Sequence, residues 1–303
     1  MSQLTDDDYV LEVGPGIGTL TRALLQRAKQ VCSIECDAQL PRVLYETLAP
    51  WLDHWTLIQA DALDVNTLPH APNGHHLRCC ECVSATHSGV YPEARSDTFP
   101  LHSVANTDAN TDALLNQLPN KLISNLPYAV AATIVLDYFT RFPSLRSATI
   151  MVQKEVAQRM CAQPGTKAYG AYTVKLSLFA RPVGMFSVAP SNFFPAPHVE
   201  STVIRLDRLS VHDAPYQPCE LPAIQRAIEA AFANRRKTVF NSMRTFFAGC
   251  NNSASKTDAR GVLANNLLDA LHVANIAPDV RGETLSREQF ITLGKALLSC
   301  GVV

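Results

Sequence analysis

The chain has 303 residues and a mass of 33.1 kDa, is 47% hydrophobic and 17% charged, and carries 13 glycines and 19 prolines, which excludes wholesale disorder, collagen-like repeats and coiled coil. The net charge of −1 hides an asymmetry: residues 1–120 hold 6 basic against 15 acidic residues (−9), residues 121–248 hold 15 against 7 (+8), and residues 249–303 hold 5 of each. The global balance speaks against a polyanionic partner, whereas the middle segment alone could face one.

Other classes fall away on the same terms. No apolar run reaches the roughly 18 residues of a membrane span, so no membrane partner is expected. The acidic start, Met1 to Asp8, lacks the basic and apolar regions of a secretory signal. Nine cysteines, an odd count that includes Cys79-Cys80-x-Cys82, point to reduced thiols and a cytoplasmic protein. The length suggests two domains at roughly 150 residues each.

Tyr9 to Val13 reads as a short apolar strand running into Gly14-Pro15-Gly16-Ile17-Gly18. Thr19 to Ala28 has helical spacing at Leu20, Ala23, Leu24 and Ala28, with Thr19 as its expected cap. Val31 to Ile34 is a second strand closed by Glu35, Leu40 to Leu48 a second helix, and Thr56 to Ala60 a third strand ending at Asp61. This rhythm predicts an α/β fold with a doubly wound parallel sheet. Residues 66–119 show little periodicity and read as a long loop or disordered insertion, with one helical turn at Asp112 to Leu118. Order resumes with the strand Lys121 to Ser124, a helix over Ala131 to Phe139, the strand Ala148 to Val152 and a helix over Lys154 to Ala162. Tyr172 to Leu178 and Val199 to Leu206 look like later strands or strand–helix units, with a rigid proline-bearing loop at Pro190 to Pro197 between them. From about Pro222 the pattern is helical: an apolar stripe runs through Leu221, Ile224, Ala227, Ile228, Ala231 and Phe232. Further helices are expected at Thr257 to Leu271 and Arg287 to Leu298, the last opened by a Ser286/Gln289 capping box. The expected division is a catalytic domain at 1–210 and a small all-helical domain at 211–303.

Four strand ends carry chemistry. The glycine turn lets backbone approach a ligand, although its G-x-G-x-G spacing is not the dinucleotide fingerprint and a bare strand–helix turn reads the same way. Glu35 can accept from two ribose hydroxyls, and Asp61 from an exocyclic adenine amine; a solvated carboxylate and a helix cap are their plain alternatives. In order along one sheet they say more than each alone, because ligands bind at the carboxyl ends of such strands. Asn125-Leu126-Pro127-Tyr128 is the sharpest signal. An adenine exocyclic amine is a poor nucleophile because its lone pair is delocalised. Two acceptors on its N–H groups, the Asn125 side-chain carbonyl and the Leu126 main-chain carbonyl before a turn-fixing proline, favour a pyramidal nitrogen. Tyr128 can stack on the base. No early general base is needed, because the amine loses its proton after methylation.

These residues resemble the small-subunit (16S) rRNA adenine N6,N6-dimethyltransferase family. The matching stretches are Val10 to Thr21, Ile34 to Asp37, Gln59 to Ala62, Ile123 to Tyr128, Met151 to Arg159, Pro190 to Val203 and Phe232 to Met243. The resemblance implies a Rossmann-like methyltransferase sheet with S-adenosyl-L-methionine as cofactor. It implies dimethylation of N6 of two adjacent adenines near the 3′ end of 16S rRNA during 30S subunit biogenesis. It places Gly14 and Gly16 in the cofactor loop, Glu35 at the ribose, Asp61 and Ala62 at the cofactor adenine, and Asn125 at both the cofactor and the target amine. Leu126 and Tyr128 complete the catalytic turn. Phe193, with Phe194 as its neighbour, would flank the flipped adenine opposite Tyr128. Arg235, Arg236, Lys237 and Arg244 would form the basic, RNA-facing end of a helix. The expected partner is 16S rRNA in an immature 30S subunit, and the expected state a monomer. Family members usually carry a Gln-Asn-Phe-Leu segment ahead of the first strand that closes over the cofactor; the sequence starts about where that strand starts, so an upstream start or weak cofactor binding is expected.

His75, His76, Cys79, Cys80, Cys82 and His87 are zinc-ligand types, but C-C-x-C is not a paired knuckle, and the expectation is an insertion without metal. Cys32 and Cys36 are expected to be buried small hydrophobes. Four other functional readings compete. A non-catalytic ribosome-assembly RNA-binding factor would share the basic segment. A large-subunit rRNA dimethyltransferase conferring macrolide resistance would share the catalytic turn, but the Asn-Arg-Arg-Lys-Thr and Pro-Ala-Pro-His-Val stretches favour the small-subunit family. DNA adenine methylation and nicotinamide chemistry fit least.

Overall fold

A computed structural model of the chain describes residues 1–71, 117–193, 199–210, 214–250 and 258–303. Seven strands form one sheet: β1 (Tyr9–Val13), β2 (Gln30–Glu35), β3 (Trp55–Gln59), β4 (Lys121–Asn125), β5 (Ser147–Gln153), β6 (Ala180–Val188) and β7 (Ser201–Arg208). Their order is β3-β2-β1-β4-β5-β7-β6. The ladders β2–β3, β1–β2, β1–β4 and β4–β5 are all parallel. The chain goes outward from β1 to β2 and β3, then returns to the other side of β1 with β4, so the strand order reverses between β1 and β4. That reversal is where a doubly wound sheet opens its crevice.

The helices are α1 (Thr19–Leu25), α2 (Leu40–Thr47), α3 (Ala131–Arg141), α4 (Lys154–Met160), α5 (Ala171–Ser177), α6 (Leu221–Phe232), α7 (Val239–Cys250), α8 (Asp258–Val273) and α9 (Arg287–Ser299). The chain divides into two compact units: Met1–Val152 with Gly184–Phe186 and Val203–Leu206, and Gln153–Val183 with Ser187–Thr202 and Asp207–Val303. The second therefore takes in Gln153–Val183, which the sequence pattern groups with the sheet.

The first unit is built on strands buried along their whole length. Every residue of β1 and β2 is buried, as central parallel strands require. A core cluster of Val10, Leu24, Val31, Leu44, Trp55 and Ile123 packs on them. In the second unit Ile224, Ile228, Met243, Phe290 and Leu297 belong to one buried cluster. Helix α9 starts with the expected capping box: the Gln289 N–H donates to Ser286 Oγ at 3.2 Å and the Ser286 N–H to Gln289 Oε1 at 2.9 Å.

Several local expectations need correction. The cap of α1 is Gly18, at φ 87°, with no side-chain cap bond, so Thr19 is the first helical residue instead. Tyr172 to Leu178 belongs to helix α5 and its end, not to a strand. Strand β6 was not anticipated: seven of its nine residues are exposed, which leaves no alternation to read. Residues 235–237 form a turn between α6 and α7, so Arg235, Arg236 and Lys237 are not helical, while Arg244 lies on α7. Cys32 is buried as expected, but Cys36 is exposed. Phe194, the His75–His87 cluster and most of the Asp112–Leu118 turn lie outside the described residues. Among the described residues no group of His, Cys, Asp or Glu could hold a metal ion, and no helix is long and apolar enough to cross a membrane.

Candidate active site

The first unit gathers Gly14, Gly16, Glu35, Asp61, Ala62 and Asn125 at the carboxyl ends of four adjacent strands, β3-β2-β1-β4. Gly14 follows β1 at φ +69°, and Gly16 has φ +57°, both in the left-handed region that glycine alone adopts without cost. The Gly14 N–H donates to the Ile34 carbonyl at 2.9 Å, which ties the loop to β2. A Cβ at Gly14 would stand 3.8 Å from the Pro127 ring, so the glycine loop and the Asn125–Tyr128 turn lie within van der Waals reach. A Cβ at Gly16 would meet nothing within 4 Å, which leaves that backbone open to a ligand.

Glu35 closes β2 and is 6% exposed. Its Oε1 accepts the Asp37 N–H at 2.9 Å, while its main-chain carbonyl accepts the Ala60 N–H at 3.0 Å and joins the ends of β2 and β3. Asp61 is exposed, and its Oδ1 accepts the Leu63 N–H at 2.9 Å. Among the described residues no helix directly follows Asp61, so this bond closes a turn instead of capping a helix and leaves the second carboxylate oxygen for other work. Ala62 is buried and its carbonyl accepts the Tyr138 hydroxyl at 2.9 Å, so α3 anchors the loop after β3. Arg141 reinforces that anchor by donating to the Val65 carbonyl at 2.7 Å and to Asn66 Oδ1 at 3.0 Å.

Asn125 is the exposed last residue of β4, in register with Met151 of β5. The Leu126 side chain is buried and its N–H donates to the Met151 carbonyl at 3.2 Å. The Pro127 carbonyl accepts from Val130 at 3.2 Å and Ala131 at 3.0 Å, which turns the chain into α3. Among the described residues no backbone N–H bonds to the Leu126 carbonyl. Tyr128 is half-buried beside it.

The site also rests on polar residues that composition and periodicity did not single out. Glu12, 1% exposed in β1, accepts at Oε2 from Thr21 Oγ1 at 2.7 Å and from Ser33 Oγ at 2.9 Å; Ser33 in turn accepts from Trp55 Nε1 at 3.0 Å. One buried chain of hydrogen bonds thus links α1, β1, β2 and β3 beneath the glycine loop. Burial pushes the Glu12 carboxyl up to about 7, against the pull of the Thr21 and Ser33 hydroxyls and with the push of the Glu35 charge. The signal was available: a single acid inside an otherwise apolar strand needs a reason.

In the second unit, Phe193 is half-buried after a short 3-10 turn, its N–H donating to the Pro190 carbonyl at 3.1 Å. The basic turn is held by Ser242, whose buried hydroxyl accepts the Asn234 N–H at 3.0 Å and donates to the Ala230 carbonyl at 2.7 Å. Arg235 is engaged: it donates to the Lys167 carbonyl at 2.7 Å and pairs with Glu283 at 3.4 Å. Arg236, Lys237 and Arg244 are exposed, with Arg244 over the Phe240 ring at 5.4 Å.

The sequence profile of the ribosomal RNA adenine dimethylase family matches residues 1–280. A relative from Rhodococcus erythropolis, named ribosomal RNA small subunit methyltransferase A, is 33% identical over 294 residues, covering 96% of this chain and 79% of its own. A relative of the same name from Clostridium botulinum is 32% identical over 289 residues, covering 95% of this chain and 83% of its own. Two solved structures share the fold. A dimethyladenosine transferase from Plasmodium falciparum has a TM-score of 0.68 at 19% identity, with 99% of this chain and 93% of that one covered. The 23S rRNA methyltransferase ErmE has a TM-score of 0.59 at 21% identity, with 98% and 93% covered. With the profile matched over residues 1–280 and a relative 33% identical over 96% of this chain, the chain belongs to the ribosomal RNA adenine dimethylase family.

Proposed function

We propose that this rRNA adenine dimethylase methylates N6 of two adjacent adenines near the 3′ end of small-subunit rRNA, in an immature small ribosomal subunit, acting as a cytoplasmic monomer. The observation that carries the reading is the Asn125-Leu126-Pro127-Tyr128 turn standing beside the glycine loop at the reversal of strand order. The names of the relatives favour the small-subunit substrate over the large-subunit one.

The residues fit S-adenosyl-L-methionine. The open backbone at Gly16 admits a ligand, and Glu35 and Asp61 offer carboxylates at the next two strand ends for ribose hydroxyls and an adenine amine. S-adenosyl-L-methionine supplies an electrophilic methyl group on sulfur. The chain's own part is to prepare the amine. The Asn125 side-chain carbonyl and the Leu126 main-chain carbonyl accept its two N–H groups, withdraw the nitrogen lone pair from the ring and aim it. Tyr128 stacks on one face of the base. The proton leaves the nitrogen after transfer, so no side chain need hold it beforehand. The adenine must leave its stack, which favours a looped or single-stranded RNA target. The basic turn at Arg235, Arg236 and Lys237, with Arg244, meets RNA phosphates.

The test is methyl transfer from labelled S-adenosyl-L-methionine to isolated immature small and large subunits, followed by mapping of the modified adenines. Dimethyladenine in small-subunit rRNA supports the reading. Label in large-subunit rRNA alone overturns the substrate assignment. Binding to the small subunit without transfer makes the chain a non-catalytic assembly factor.

A further inference from the structure

We propose that Ser124 is a positioning residue that fixes the crevice between the glycine loop and the Asn125 turn, and with it the alignment of methyl donor and amine; this rests on the function proposed above. The β1–β2 ladder runs to Val13↔Ile34 and the β4–β5 ladder to Asn125↔Met151. The ladder between β1 and β4, where the strand order reverses, has the register Val10↔Lys121 and Leu11↔Leu122. Two residues further on, a side chain takes over from the backbone. The Ser124 hydroxyl accepts the Val13 N–H at 3.3 Å and donates to the Val13 carbonyl.

A buried backbone N–H and C=O need partners, and one atom that both donates and accepts is a hydroxyl. Ser124 is 3% exposed, so water does not replace it. The bridge sets a side chain between two strand ends that a continuous ladder would draw together. Its neighbours along the chain are Gly14 on one side and Asn125 on the other. The single hydroxyl therefore couples the loop assigned to the methyl donor to the turn assigned to the amine. The glycine-loop backbone and the Pro127 ring, 3.8 Å from a Gly14 Cβ, lie on the two sides of this crevice. Ser124 touches neither reactant in this scheme. Its effect belongs to the reacting geometry, where a displacement on the order of 1 Å costs about 100-fold.

The test compares the parent chain with Ser124→Ala and Ser124→Thr on small subunits, well below each unfolding midpoint, with kcat, KM for S-adenosyl-L-methionine and its calorimetric Kd measured together. Ser124→Ala is expected to lower kcat by about 10-fold or more while Kd and KM move by less than about 3-fold; Ser124→Thr, which keeps the hydroxyl, restores kcat to within about 3-fold of the parent. A lowered midpoint with unchanged kcat reduces Ser124 to a structural residue and overturns the proposal. A raised KM at unchanged kcat overturns it too, because it makes Ser124 part of cofactor binding. Should Ser124→Ala not fold, Ser124→Cys, a weaker and longer hydrogen-bond partner, takes its place with the same kcat-only loss expected. A parent chain without transfer activity sinks the functional reading and this inference together, whereas an active parent with full kcat in Ser124→Ala sinks the inference alone.

Discussion

Glu12 is a carboxyl that burial moves into the neutral pH range. Burial raises its carboxyl to about 7 from 4.5, so between those values the folded chain holds a proton that the unfolded chain releases. Stability from this group is present below pH 4.5 and is lost as pH rises to 7, a loss on the order of 3 kcal/mol. Glu12→Gln keeps an oxygen for Thr21 and Ser33 and removes the ionisation. Denaturant midpoints at pH 5 and pH 8 are expected to separate less in Glu12→Gln than in the parent, with the variant the more stable at pH 8. An equal pH dependence in both proteins contradicts a costly buried ionisation. Asn125 is the opposite kind of residue, exposed at a strand end and without structural employment for its side chain in the proposed scheme. Asn125→Ala is expected to lower methyl transfer by about 100- to 1,000-fold, as losing a preorganised partner of a reacting group does, with the unfolding midpoint little changed. Near-parental turnover contradicts the assignment of its carbonyl to the amine.

Helix α9 comes close to the backbone of α6 at Gly294. A Cβ at Gly294 would stand 2.5 Å from the Ile224 Cα and 2.8 Å from its nitrogen, both backbone atoms that a side-chain rotation cannot move away. Gly294→Ala is expected to cost about 1–3 kcal/mol by overpacking, read as a fall in thermal midpoint. A gain in stability, as helix propensity alone predicts for Gly→Ala, argues that the helices part without cost. The same scale explains what the sequence reveals. The strands β1, β2, β4 and β5 and helices α6 and α9 announce themselves because burial on them is periodic or nearly complete. Strand β6 does not, because most of its residues face solvent. The strand-end residues of the site are legible because in a parallel sheet the chain delivers each carboxyl end to the same edge. The Ser124 bridge to Val13 is not legible, since it depends on a register between residues 111 apart. The Glu12 chain of hydrogen bonds is illegible for the same reason, as it joins four separate elements. The basic turn misled because its charges suggest a helix face, whereas Ser242 and Asn234 hold it as a turn.

Across the whole molecule, charge is segregated along the chain: −9 in residues 1–120 against +8 in residues 121–248, a separation that the net value of −1 conceals. A protein that met RNA through its net charge would show little salt dependence, whereas one that presents a local basic surface releases counterions from each phosphate it neutralises. The four basic residues assigned to that surface are not equivalent. Arg235 spends its guanidinium on the Lys167 carbonyl and Glu283, so part of its role is to hold the turn. Arg236 and Lys237 are exposed beside it. The paired change Arg236→Ala with Lys237→Ala is therefore expected to weaken rRNA binding and to reduce the slope of log K against log salt by about 1.4 for single-stranded contacts and about 1.8 for duplex ones. Arg235→Ala is expected to lower the thermal midpoint as well, which the paired change is not. Titrations of small-subunit rRNA at several salt concentrations, read beside thermal unfolding, separate the two roles: an unchanged slope in the paired variant removes the turn from the RNA surface, and a reduced slope at parental stability assigns those two charges to phosphate.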